Sequence, residues 1–77
     1  MKYRYAVSFD LQTDGTFVGA FPAFPEIVTY GRTLDEARAM ARDALRCHLE
    51  GFRKDGVQIP PEMPVGQSLR DEIVIVF

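Results

Sequence analysis

Seventy-seven residues, 47% of them apolar, make one globular domain and leave no room for a second. Nine Lys and Arg against eleven Asp and Glu give a net charge of −2, which argues against a polyanion binder by bulk charge. The lone Cys47 excludes an intrachain disulfide, and no apolar run approaches the roughly 20 residues that cross a bilayer.

A chain this short buries only roughly 60% of its unfolded surface, so self-association into a dimer or tetramer is the expected supplement to its core. The start, Met1-Lys2-Tyr3-Arg4-Tyr5, lacks the apolar stretch of a signal peptide, and a cytoplasmic location is expected.

Alternation marks the first strand: Tyr3, Tyr5, Val7, Phe9 and Leu11 point one way, and Lys2, Arg4, Ala6, Ser8 and Asp10 the other. Asp14-Gly15 supplies the positive φ of a hairpin turn, and the chain returns through Thr16 to Phe21. Gly19, with no side chain, is expected to let a neighbouring backbone or a helix approach. Pro22 and Pro25 each follow an aromatic or stand beside one, which predicts an extended or turning connection rather than a central strand. A third short strand is predicted over Ile27–Tyr30, with Gly31 closing it.

Thr33-Leu34-Asp35-Glu36 is a capping box, in which Thr33 accepts from the Glu36 amide and Glu36 reaches back to the amide of Thr33. Behind it Ala37, Ala41, Ala44, Leu45, His48, Leu49 and Phe52 recur at helical spacing, predicting one amphipathic helix from about Leu34 to Lys54. Gly56 is placed for its left-handed C-terminal stop. The span from Val57 to Gln67, with Pro60, Pro61 and Pro64, reads as an extended connection. Glu72–Phe77 is a final strand, apolar enough from Ile73 onward to be covered on both faces. The class is therefore α+β with the order β-β-β-α-β, an antiparallel-dominated sheet with one helix on one face.

Catalytic chemistry is hard to assemble from these residues. His48 has no Asp or Cys three or four positions away, and adjacent Cys47 diverges from it by about 100° around the helix. A core-edge imidazole is the expected role. Asp10, Asp14 and Glu26 are explained by a strand face, a turn and a loop, so no metal site and no cofactor are expected. No catalytic residue is assigned; a residual nuclease would have to use Asp10.

Arg38, Arg42 and Arg46 form a basic stripe that Arg53 extends, and Asp35, Asp43 and Glu50 each precede an arginine by three positions. A solvated, internally paired face is expected, with RNA binding as the alternative use. Phe21 and Phe24 are either a lid packed on the sheet or an exposed aromatic anchor for a partner. Ile73, Ile75 and Phe77 are the expected oligomer contact, because the last strand is more apolar than one helix-covered face requires.

The series Phe21-Pro22, Pro25, Thr29, Gly31, Thr33, Glu36-Ala37, Ala44-Leu45, Asp55-Gly56 and Ile59-Pro60 resembles the HicB-type antitoxin domain over about residues 3–61. The resemblance implies a reduced ribonuclease-H-like sheet and a role as neutralising partner of a small HicA-type toxin, an RNA-cleaving protein shaped like a double-stranded-RNA-binding domain. On that footing the partner contact is expected at Phe21, Pro22, Phe24, Pro25 and Glu26 with the adjoining sheet edge. Family members often carry an acidic residue at Ala23, Gly at Glu26 and Asp at Arg32, so the loop's charge differs here. They also usually carry a C-terminal DNA-binding module, for which nothing after Ser68 is long enough. A stand-alone domain without operator binding is expected.

Overall fold

The computed structural model describes residues 2–60 and 71–77. Strand β1 (Lys2–Leu11) turns through Gln12–Thr16 into β2 (Phe17–Phe21). Gly15 takes a φ of 88°, and Asp14 Oδ1 accepts from the amide and the hydroxyl of Thr16 at 3.0 and 2.7 Å. Those bonds, the hydroxyl first, hold the Asp14 carboxyl below its ordinary pKa. Strand β3 (Phe24–Gly31) follows, then helix α1 (Leu34–Lys54) and strand β4 (Asp71–Val76). The predicted order and class are the ones observed.

The strands lie in the order β3-β2-β1-β4, every neighbouring pair antiparallel. Pairing of Phe9 with Gly19 and of Tyr5 with Ile73 sets the register. It brings Tyr5, Val7, Phe21, Ile27, Ile73 and Ile75 to the face that α1 covers with Ala41, Leu45 and Leu49. Each of the larger aliphatic side chains contributes roughly 1.5–3 kcal/mol by leaving water.

The boundaries of β3 and β4 differ from the sequence expectation. β3 begins at Phe24 rather than Ile27 and takes in Pro25. It can do so because it is an edge strand, where a missing amide leaves no ladder bond unmade. The pairing with β2 is also irregular between Ala20 and Phe21, next to this start. β4 begins one residue early, at Asp71. Among the described residues only the face of Ile73 and Ile75 is fully covered, and Val76 on the other face is 59% exposed. Of the predicted Val57–Gln67 connection, Val57–Pro60 is described and carries no regular element, while 61–67 lies outside the described residues.

Both helix ends are built as their residues dictate. The Glu36 amide donates to Thr33 Oγ1 at 3.0 Å, but the Glu36 carboxylate accepts from the amide of Arg32, at 3.2 Å, instead of that of Thr33. At the other end Gly56, at φ 69°, donates to the carbonyl of Arg53, and Val57 to that of Phe52. This double closure is a Schellman motif.

The close approach that lets α1 settle on the sheet is at Gly31, not Gly19. A Cβ on Gly31 would fall 2.5 Å from the Cα of Ala37 and 2.9 Å from its Cβ. At Gly19 the space is taken by the Thr29 hydroxyl and the Phe9 ring.

Candidate functional site

The turn between β2 and β3 and the edge of β3 form the candidate contact. Within it the aromatic rings face inward. Phe21 and Phe24 are 1% and 2% exposed, so they are core residues and not an exposed anchor. The Phe24 ring meets Tyr5, His48 and Phe52, with centroids 5.0, 5.0 and 6.1 Å away. Pro22, Pro25 and Glu26 are the exposed members of the predicted set. Burying the two rings holds the turn's backbone in place and leaves its prolines and carboxylate outside.

His48 edges this cluster from α1, its ring perpendicular to Phe52 and to Phe24 within 20°. Its Nε2 comes within 2.9 Å of Glu26 Oε2, but without the direction of a hydrogen bond. The core-edge role expected for His48 is where the fold places it, and the contact with Glu26 adds a tie between helix and turn. Sequence reasoning missed that tie because 22 positions separate the two residues.

Along the rest of β3, Val28 and Tyr30 are exposed on the face away from the helix. Thr29 points inward, 8% exposed, and its hydroxyl has no hydrogen-bond partner among the described residues. β3 is the last strand of the sheet on this side, so one backbone edge has no neighbouring strand among the described residues.

Of the residues expected at an oligomer contact, two lie inside the chain's own core. Ile73 and Ile75 are 2% and 3% exposed inside the chain's own core, because the register with Tyr5 and Tyr3 turns them toward α1. Phe77 is half-buried, edge-on to Tyr3 and capped by the Arg53 guanidinium 4.5 Å from its centroid. The other face of β4 carries Val74, which is half-buried, and Val76, which is exposed among the described residues.

The arginine stripe is also engaged differently from the expected pairing at three positions. Arg38 pairs with Asp71 at the start of β4 and lies 5.7 Å from the Phe9 ring centroid. Arg46 bonds Glu50, four positions later, at 3.2 Å. Arg53 stacks on Phe77 at the end of β4. Arg38 raises its own affinity for the proton through this bond and holds the Asp71 carboxyl below its ordinary pKa. Three of the four arginines are thus turned to partners within the chain and do not stand as a free row for phosphates.

Among the described residues no three His, Cys, Asp or Glu side chains gather as a metal would require. No described helix is long and apolar enough to cross a membrane.

Comparison with known proteins bears on what this arrangement serves. No protein-family model matches the chain. It is 40% identical over 68 residues, 88% of its length, to Antitoxin HicB 1 of Photorhabdus laumondii, and 38% identical over 84% to Antitoxin HicB 2 of the same organism. The chain spans 44% and 46% of the length of those two relatives. It is also 35% identical to UPF0150 protein Ta0767 of Thermoplasma acidophilum, covering 84% of that protein. Its fold superposes on the N-terminal domain of Burkholderia pseudomallei antitoxin HicB with a TM-score of 0.69, over 100% of this chain and 98% of the other, at 16% identity. From matching sequence over most of its length and a shared fold, the chain belongs to the family of HicB-type antitoxin domains.

Proposed function

We propose that the chain is an antitoxin-type protein-binding module that neutralises a small RNA-cleaving toxin of HicA type by covering its active site. The observation that carries this reading is the 40% identity to Antitoxin HicB 1 across 88% of the chain. The activity is binding, and the contact is made by the exposed Pro22, Pro25 and Glu26 together with the edge of β3. A turn held from beneath by Phe21 and Phe24 enters such a contact already ordered, which lowers the entropy cost of association.

The test is co-expression with a HicA-type protein encoded beside this chain. The expected result is restored growth of a host poisoned by the toxin and recovery of the two proteins as one complex. Continued poisoning with both proteins folded and expressed would overturn the reading.

A further inference from the structure

Between α1 and the open edge of β3 runs a groove of about 540 Å³. Thr29 contributes its strand wall, and Met40, Ala44 and Cys47 its helix wall. Asp43 and Glu50 stand on the rim. Glu36, four positions before Met40, continues the same helix flank, and Glu26 stands near the start of the strand. Of the carboxylates that line the groove, Glu50 accepts from Arg46, itself part of the lining, in an exposed pair at 3.2 Å, and Asp43 shares in no ion pair among the described residues. Beyond the lining, Glu36 accepts from the Arg32 amide and Glu26 lies 2.9 Å from His48.

Apolar surface concentrates on the same side. Val28, Tyr30, Leu34 and Met40 are four of the seven large apolar side chains exposed among the described residues. The groove, with Asp43 and Glu50 on its rim, therefore runs beside a strand edge that has no neighbour among the described residues, and Val28 and Tyr30 are exposed on the other face of that strand.

We propose that this groove receives an extended, lysine- or arginine-bearing segment of the protein partner, added to β3 as a fifth strand. The proposal deepens the partner-binding reading and rests on it. Strand addition pairs the backbone edge of β3 that has no neighbour among the described residues, and the alternation of a strand sorts the incoming side chains into two sets. One set lies over the groove and meets Asp43, Glu50 and Met40. The other lies beside Val28 and Tyr30 on the uncovered face. The segment that fits is basic at alternate positions and apolar between them.

A second copy of this chain fits poorly in the same place. A twofold axis at β3 would set each acidic rim against its own image, and like charges brought together are repelled.

The experiment titrates a blocked peptide of alternating lysine and valine into the isotopically labelled chain and follows backbone amide NMR signals. Saturable shifts confined to residues 26–31 and 40–50, weakening as salt is raised, are expected. A peptide with glutamate for lysine, and one with proline at alternate positions, should produce none. Asp43→Lys with Glu50→Lys should weaken binding at least about tenfold while circular dichroism stays unchanged.

Absent or unsaturable shifts would overturn the proposal, as would shifts confined to Val74 and Val76, or equal binding of the glutamate peptide. So would β3 amides protected in a concentration-dependent dimer without peptide, which would give the edge to a second copy. If a HicA-type complex forms but ignores both lysine substitutions, the groove assignment fails and the partner-binding reading survives. If the peptide binds as described but no toxin complex forms, that reading fails and the groove stands.

Discussion

At the β4 edge the helix reaches the sheet through cations: Arg38 bonds Asp71 at one end of the strand and Arg53 covers Phe77 at the other. At the β3 edge it arrives through missing side chains, with Gly31 letting the backbone of Ala37 come down onto the strand. Arg38 and Arg53 are consequently engaged at β4, whereas on the β3 flank Glu50 is paired only with Arg46 of its own helix, on the surface beside a strand edge that has no neighbour among the described residues. The difference teaches where binding capacity lies. To meet a partner, Arg38 and Arg53 would have to leave β4, whereas Glu50 would leave only an exposed pair within its own helix, worth about 0.3–0.5 kcal/mol.

The sharpest way to break the comparison is Gly31→Ala. A Cβ there meets backbone that cannot rotate aside, so a loss of about 3 kcal/mol or more is expected in urea denaturation. Gly51→Ala is the control, because its Cβ enters open space. In the helix interior it should stabilise by about 0.5–1 kcal/mol. A small loss at Gly31 would mean that the helix does not approach β3 this closely.

Next in size, Ile73→Ala should cost about 2–4 kcal/mol, the price of a cavity in the core, while Val28→Ala on the exposed side of β3 should stay within about 0.5 kcal/mol. Equal losses at the two positions, read from the same denaturation midpoints, would show that β3 is covered in solution.

The smallest effect is expected for Arg38→Gln, because both partners of the Asp71 pair are more than a third exposed and solvent screens them. A loss of a few tenths to about 1 kcal/mol is expected at neutral pH. The Asp71 carboxyl is held below its ordinary pKa chiefly by the Arg38 hydrogen bond. The stabilisation is therefore present above the carboxylate range and is lost as pH falls through the lowered value in the folded state. Melting curves of the two proteins should converge in acid; a gap that persists there would assign the loss to packing on Phe9 instead.

Much of this was legible in the residues, and the illegible parts share a cause. The alternation of β1, the Asp14-Gly15 turn, the Thr33 cap on the Glu36 amide and the stop at Gly56 are each set by neighbours within a few positions and lie where expected; only the return bond of Glu36 shifts, to the amide of Arg32. Pro25 was misplaced because a proline cannot announce whether its strand is central or at an edge; that depends on which strand lies beyond it. Ile73 and Ile75 looked like surplus apolar surface because pairing with Tyr5 and Tyr3, about 70 positions away, decides which face they occupy. The arginines were paired with acids three positions earlier, as helix spacing alone suggests, whereas Arg38 and Arg53 reach β4.

By itself the sequence determined the order of the five elements and the apolar faces of β1 and α1, since periodicity, caps and turn chemistry act over a few bonds. Tertiary structure alone decided that β3 lies at the edge, that Phe21 and Phe24 turn inward, and that one helix flank is tied down while the other stays open. Those outcomes depend on strand order and register, which bring together residues that no local rule relates.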